Sequence, residues 1–250
     1  MYRRLVIALP LLSGCSLLFA PSPGVGRDGG TGDAAGFDAA VASTDAALDA
    51  GPGEPTCAAG ECQLVVYVTS SLSDAYQRMP SNGQDVTLVN ADTMSLPLGP
   101  AGTSDANVVG LRFENLRIPQ GSAISRAEFE YTAFGDASES TSWGVSMETS
   151  VNAPNFEVEL TGRTVMQCGA TSGATEWEDG SNYLAPVDCQ GRLQQLVARP
   201  DWDPNNNSVV ILSQHFQGEN RQAYSYDGAV ASENLRLAPR LRVSFPDPGL

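Results

Sequence analysis

The chain is expected to fold as an all-β protein, a jelly-roll-like antiparallel β-sandwich with one short helix at about residues 189–199, behind a disordered N-terminal tether. Three observations predict this. Short apolar-alternating runs rich in β-branched and aromatic residues recur from Gln63 to Phe245, separated by Gly, Pro, Asn and Asp clusters. Glycine is abundant, 25 of 250 residues, while aromatic residues make up 7%, a composition of many turns rather than of a helical bundle. Residues 20–56 are dominated by Ala, Gly, Asp and Pro, with Phe37 as the sole aromatic, and such a segment cannot bury enough apolar surface to offset its chain entropy.

The first element is an address. Arg3 and Arg4 precede a short apolar run, Leu5 to Leu12. That run is shorter than the roughly 20 residues a membrane-spanning helix needs, so residues 1–14 read as a signal peptide. It ends in Leu12-Ser13-Gly14-Cys15, which resembles the lipobox of bacterial lipoprotein signal peptides. The resemblance implies cleavage before Cys15, attachment of a diacylglycerol to its thiol, and N-acylation of the new terminus by a chain such as palmitate. Ser16 behind the cysteine is similar to lipoproteins sorted to the outer membrane of Gram-negative bacteria. The expected partner of the N-terminus is therefore a membrane, reached through a lipid anchor.

Residues 15–56 form the lipidated cysteine and a tether in which Asp-Ala-Ala recurs at Asp33, Asp38 and Asp45. About 36 flexible residues span on the order of 30–35 Å r.m.s.. The folded domain is expected over residues 57–250. Its strands are read at Gln63–Thr69, Asp85–Asn90, Asn107–Phe113, Ala127–Phe134, Trp143–Glu148, Phe156–Leu160, Ser208–Ser213, Ala223–Tyr226 and Arg240–Phe245. Asp188 to Arg199 breaks the alternation and places Leu193, Leu196 and Val197 on one helical face, with Asp188 as N-cap and Pro200 as stop. Cys57, Cys62, Cys168 and Cys189 are an even set in an exported chain, so two disulfides are expected. Three connectivities are open. The local one is preferred: Cys57–Cys62 at the tether boundary, and Cys168–Cys189 closing a loop of about 20 residues. A four-cysteine zinc site is the rival, and the spacings do not form paired knuckles.

Several motifs follow in order. Val109-Gly110-Leu111-Arg112-Phe113 leads to Ile118-Pro119-Gln120-Gly121-Ser122-Ala123-Ile124 and Ala127; Arg199-Pro200-Asp201-Trp202 follows the helix; Arg221-Gln222-Ala223-Tyr224-Ser225-Tyr226-Asp227-Gly228 precedes Ala238-Pro239-Arg240-Leu241. Together, over roughly residues 63–245, they resemble the secreted bacterial jelly-roll modules called DNRLRE-type or carbohydrate-binding-module-like domains. The resemblance implies a noncatalytic binding or structural module, with carbohydrate as the favoured ligand class, and carries over no catalytic residues. The chain departs from the pattern in having no enzyme domain beside the module and in its Cys168–Cys189 segment. The motif residues also have plain readings. Gly110 and Gly121 suit positive φ or close packing, Pro119 presets a turn, and Asp227-Gly228 reads as a turn closing a hairpin or corner. Arg112 is expected to pair with Glu128 or Glu130 across a sheet.

Composition excludes whole classes of chemistry. All 14 basic residues are Arg, so there is no Schiff-base lysine and no phosphate-loop lysine. One histidine excludes a two-histidine metal site. The net charge is -15; residues 57–250 carry 23 acids against 11 arginines, or -12, which argues against nucleic acid as a partner. His215 follows a predicted strand and reads as structural, since no G-x-S-x-G elbow accompanies Ser213. Glu128/Glu130 and Glu157/Glu159 share strand faces at i and i+2, a spacing that more often decorates a solvated face than forms an acid–base pair. No catalytic constellation is assigned.

Two candidate binding features remain. Asp201, Asp203 and Asn205 alternate oxygen ligands as calcium loops do, although the run reads first as a helix-to-strand turn. A structural calcium there is the one cofactor considered. Trp177, Tyr183 and Asn182 lie in the cystine loop and form the candidate sugar platform, while Trp143 reads as core and Trp202 as a packed loop residue. The expected function is a noncatalytic envelope lipoprotein presenting a jelly-roll module to carbohydrate. The alternatives are an assembly or adhesion protein that binds another envelope protein, and a glycan-active enzyme.

Overall fold

A computed structural model of the chain describes residues 53–79, 88–90, 93–100, 106–138, 141–157, 160–172, 176–185, 187–218 and 220–249. The signal segment 1–14, Cys15 and the tether up to residue 52 lie outside the described residues, as do positions 85–87 of one expected strand and Glu159. Gly53 to Thr56, assigned above to the tether, lie on the domain: the Gly53 N–H donates to the Val65 carbonyl and Glu54 pairs with Arg117.

In chain order the elements are β1 (Thr56–Ala58), β2 (Glu61–Tyr67), β3 (Asp74–Met79), β4 (Leu88–Asn90), β5 (Ser95–Leu98), β6 (Ala106–Glu114), β7 (Arg126–Thr132), β8 (Thr141–Glu148), β9 (Val165–Ser172), β10 (Asn182–Leu184), α1 (Gln190–Val197), β11 (Ser208–Gly218), β12 (Arg221–Tyr224), α2 (Tyr226–Ala231) and β13 (Arg240–Pro246), with a 3-10 turn at Leu235–Leu237. They form a β-sandwich. One sheet runs β1-β2-β13-β7-β10, the other β4-β3-β6-β11-β8-β9, and β12 pairs with β5 as a separate ribbon. Every strand pair is antiparallel.

Period-2 alternation builds the core. Leu64 and Val66 of β2, Phe129 and Tyr131 of β7, and Leu241, Val243 and Phe245 of β13 are buried from one sheet. Val109, Leu111 and Phe113 of β6, Trp143, Val145 and Met147 of β8, and Val209 and Ile211 of β11 meet them from the other, in one continuous cluster. A second cluster covers the outer face of the six-stranded sheet, where Phe156 and Leu160 pack with Ala75, Val108, Val210 and Leu212. The expected strand at Phe156–Leu160 is therefore corrected. None of its described residues is in a strand, and the alternation serves a loop that lays two apolar side chains onto Gly110. A Cβ on Gly110 would lie 2.8 Å from the Phe156 ring, so close packing is the requirement there, whereas Gly121 has φ +76°.

Helix α1 buries Leu193, Leu196 and Val197, as its periodicity predicts. Its N-cap is Cys189 rather than Asp188, whose Oδ1 accepts the Gln190 N–H at 2.8 Å from one residue further out. The disulfide explains the shift. Cys189 is bonded to Cys168 of β9 and donates its N–H to Ala127 of β7, so the helix start is pinned between the two sheets. The second disulfide, Cys57–Cys62, joins β1 to β2, and with all four thiols paired the zinc reading falls away. Asp227-Gly228 does not close a hairpin. It opens α2, where the Ser225 hydroxyl accepts the Gly228 N–H at 3.0 Å as N-cap, and a Cβ on Gly228 would overlap the Met94 carbonyl. No helix among the described residues is long and apolar enough to cross a membrane.

Candidate functional site

The predicted sugar platform is not an exposed pair of rings. Trp177 is 2% exposed and belongs to the core. Its loop is pinned by a bridge to Ala137, and its indole N–H donates to the Gln222 carbonyl at 2.9 Å. Tyr183 of β10 stacks on it at 4.4 Å between centroids and 18° between planes, and the Arg221 guanidinium lies over the Trp177 ring at 5.4 Å. The Tyr183 hydroxyl accepts the Glu178 N–H at 2.7 Å. The two aromatics thus satisfy one another and fasten the cystine loop. Asn182, between them in sequence, is exposed on β10 and accepts the Thr132 hydroxyl. Trp202 and Trp143 are buried, Trp202 with its indole N–H on the Ile118 carbonyl.

The candidate calcium run is local turn chemistry. Both oxygens of Asp201 accept from Arg199, at 2.8 and 2.7 Å, and this cation holds the Asp201 carboxyl below the usual carboxylate range. Asp203 Oδ1 accepts the Asn205 N–H at 2.9 Å. Among the described residues the one group of three potential metal ligands is Cys57, Cys62 and Asp247, and its two sulfurs are joined to each other.

His215 lies inside β11 rather than after a strand, because that strand continues to Gly218. It is fully buried, with Nε2 3.1 Å from the Ser213 hydroxyl, itself 3.0 Å from the Tyr131 hydroxyl. Burial lowers its pKa to about 3. A serine and histidine sealed in the core in this way face no substrate.

The polar surface of the molecule is organised elsewhere, on the outer face of the five-stranded sheet. Glu128 and Glu130 share that face through their i and i+2 spacing on β7, and the register sets β13 beside them: Arg240 opposite Glu130, Arg242 opposite Glu128 and Ser244 opposite Arg126. On the far side of β13, Tyr67, Val65 and Gln63 of β2 continue the same rows. Glu130 accepts from Arg240 at 2.9 Å and from Arg242 at 2.7 Å, and Arg126 pairs with Glu128 at 2.7 Å. Burial pushes Glu130 up, but the hydrogen bonds and charges of the two arginines outweigh it and hold its carboxyl below the usual range. A carboxylate fixed in the ionised state cannot act as a general acid.

Arg112 does not join this group. It pairs with Glu114 at 2.6 Å and donates to the Ala153 carbonyl, because β6 and β7 belong to opposite sheets. The face holds a groove of about 340 Å³ whose lining includes Val65, Leu184, Gln63, Arg126, Arg242 and Asn182. Arg240 and Arg242 escaped the sequence-based reading of this face. Their i and i+2 spacing matches that of Glu128 and Glu130, and the match is the signal that could have found them.

No protein-family model matches the chain, and no curated protein is significantly similar to it.

Proposed function

We propose that the protein is a noncatalytic cell-envelope lipoprotein that presents this β-sandwich as a binding module, with carbohydrate as its ligand class and the outer face of the five-stranded sheet as its contact surface. The observation that carries the reading is the groove on that face. It combines guanidinium donors from Arg126 and Arg242, amides from Gln63 and Asn182, the Glu128 carboxylate as acceptor, and the apolar side chains of Val65 and Leu184. A sugar presents the matching mixture of hydroxyls and C–H faces, and a sheet holds such groups on a rigid frame. The lipobox-like ending at Cys15, the acidic tether and the resemblance to carbohydrate-binding-module-like domains support the same reading.

The test is a glycan array with the lipid-free mature protein, with and without calcium, beside an Arg126→Ala/Arg242→Ala double variant. Binding to one glycan class, weakened about tenfold or more in the variant, is the expected result. No binding to any glycan, or binding indifferent to both arginines, overturns it. A second reading, docking on another envelope protein, rests on a different observation. Leu72, Met94, Val230 and Leu235 are exposed at the end of the sandwich where Ser71 and Met94 hold α2.

A further inference from the structure

Buried carboxylates in this fold are matched to arginines. Glu130 has Arg240 and Arg242, and Glu148 has Arg163 at 2.5 Å. Among the described residues, Asp74 breaks that rule. It opens β3 with 0% exposure, its Oδ2 accepts the Tyr226 N–H at 2.7 Å, and its Oδ1 has no partner. Asp227, next to Tyr226 in the first turn of α2, lies near enough for its charge to act on Asp74. Its Oδ1 accepts the Ser71 hydroxyl at 2.7 Å, and its Oδ2 is buried without a partner. Among the described residues no ion pair joins an arginine to either carboxylate.

A buried acid and a partly buried one, each with one orphaned oxygen, form an uncompensated negative site. Such groups are expected to bind a cation or to give up their charge. The surroundings offer oxygen. The turn leading into Asp74 carries Ser70, Ser71 and Ser73, with the Ser70 and Ser73 hydroxyls 2.9 Å apart, and Ser225 caps α2 beside it.

We propose that Asp74 Oδ1 and Asp227 Oδ2 are ligands of a structural divalent cation, calcium by its all-oxygen surroundings, which ties the start of β3 to α2. Calcium takes six to eight oxygens in adaptable geometry, while magnesium demands a stricter octahedron. Burial, reinforced by the neighbouring Asp227 charge against the Tyr226 N–H, pushes Asp74 up to about 7. The site lies away from the sheet-face groove and does not depend on the glycan reading. It is also distinct from the Asp201–Asn205 run, where both Asp201 oxygens accept from Arg199 and Asp203 Oδ1 accepts the Asn205 N–H.

The test uses the full chain, stripped with EDTA and dialysed. Calorimetric titration with CaCl2 is expected to show one tight site per chain. Thermal unfolding is expected to shift upward by about 5–10 °C at a hundredfold excess over Kd, with a smaller shift in MgCl2. Asp227→Asn keeps the Ser71 contact and is expected to fold in EDTA while losing both the titration and the shift. Asp74→Asn provides a second reading of the same site. Identical melting of the wild type in calcium and in EDTA overturns the proposal and leaves a shared proton as the way the pair is satisfied. Calcium binding of undiminished strength in Asp227→Asn overturns it as well, by placing the ion elsewhere.

Discussion

The chain's one histidine occupies the inner face of β11 after Val209, Ile211 and Ser213, and its ring lies 5.2 Å from that of Trp143. Nothing charged compensates a proton there, and burial takes its pKa to about 3. The folded state therefore keeps His215 neutral between its folded value and the ordinary value near 6.5, where the unfolded chain takes up a proton. Stability carried by this residue is complete above about pH 6.5 and is lost as pH falls toward 3. Relative to His215→Gln, the wild type is expected to lose up to about 1.4 kcal/mol per pH unit over that range and nothing above it, read from urea unfolding at a series of pH values. Parity of the two proteins across the whole range would refute the assignment. Single positions were unevenly legible. The burial of Trp143 follows from alternation within its own strand, a local property. The burial of Trp177 does not, since its neighbours Tyr183, Arg221 and Gln222 reach it through the fold.

Between single residues and the whole molecule, two elements show what local pattern can and cannot do. Helix α1 is legible because three apolar residues at helical spacing and a following proline need no partner to be recognised. Strand β3 is not. Its sequence, Asp-Ala-Tyr-Gln-Arg-Met, has no clean alternation, because Ala75 and Gln77 sit under the Phe156–Leu160 loop on one face while Asp74 is buried on the other. Burial on both faces erases the period-2 signal. The Cys168–Cys189 disulfide anchors the α1 start to β9. In the chain-entropy account a loop of about 20 residues contributes roughly 3 kcal/mol, so the Cys168→Ala/Cys189→Ala variant is expected to unfold at lower urea by that amount. An unchanged midpoint would mean that α1 packing alone holds this corner.

Across the whole chain, charge and architecture divide the labour. The tether and the domain are both acidic, yet the outer face of the five-stranded sheet gathers Arg126, Arg240 and Arg242 around two glutamates. Three of the domain's 11 arginines are thereby set on one face of a domain whose net charge is -12. The proposed function attaches that surface to a membrane through a lipid on Cys15. Acyl chains contribute about 0.8 kcal/mol per buried methylene, so three chains hold a protein durably. Cys15→Ala is expected to move the protein from the membrane fraction to the soluble fraction and to abolish incorporation of labelled palmitate. Retention in the membrane without label would sink lipobox anchoring.

The fold class, the helix and the local disulfides were readable because each rests on neighbours in sequence: alternation within a strand, a 3.6-residue period, and cysteines close enough to pair with little loop entropy. The carboxylate–arginine ladder and the Asp74–Asp227 pair were not, since their members are 110 and 153 residues apart and meet only through strand register and the docking of α2. The same limit explains the misplaced readings. Arg112 was matched to acids that lie in the opposite sheet, and Asp227-Gly228 carries the chemistry of a turn but packs against Met94 as the first turn of a helix. A residue's local preference is written in its neighbours. Its partners are chosen by which surfaces the chain buries together, and a linear pattern does not contain that choice.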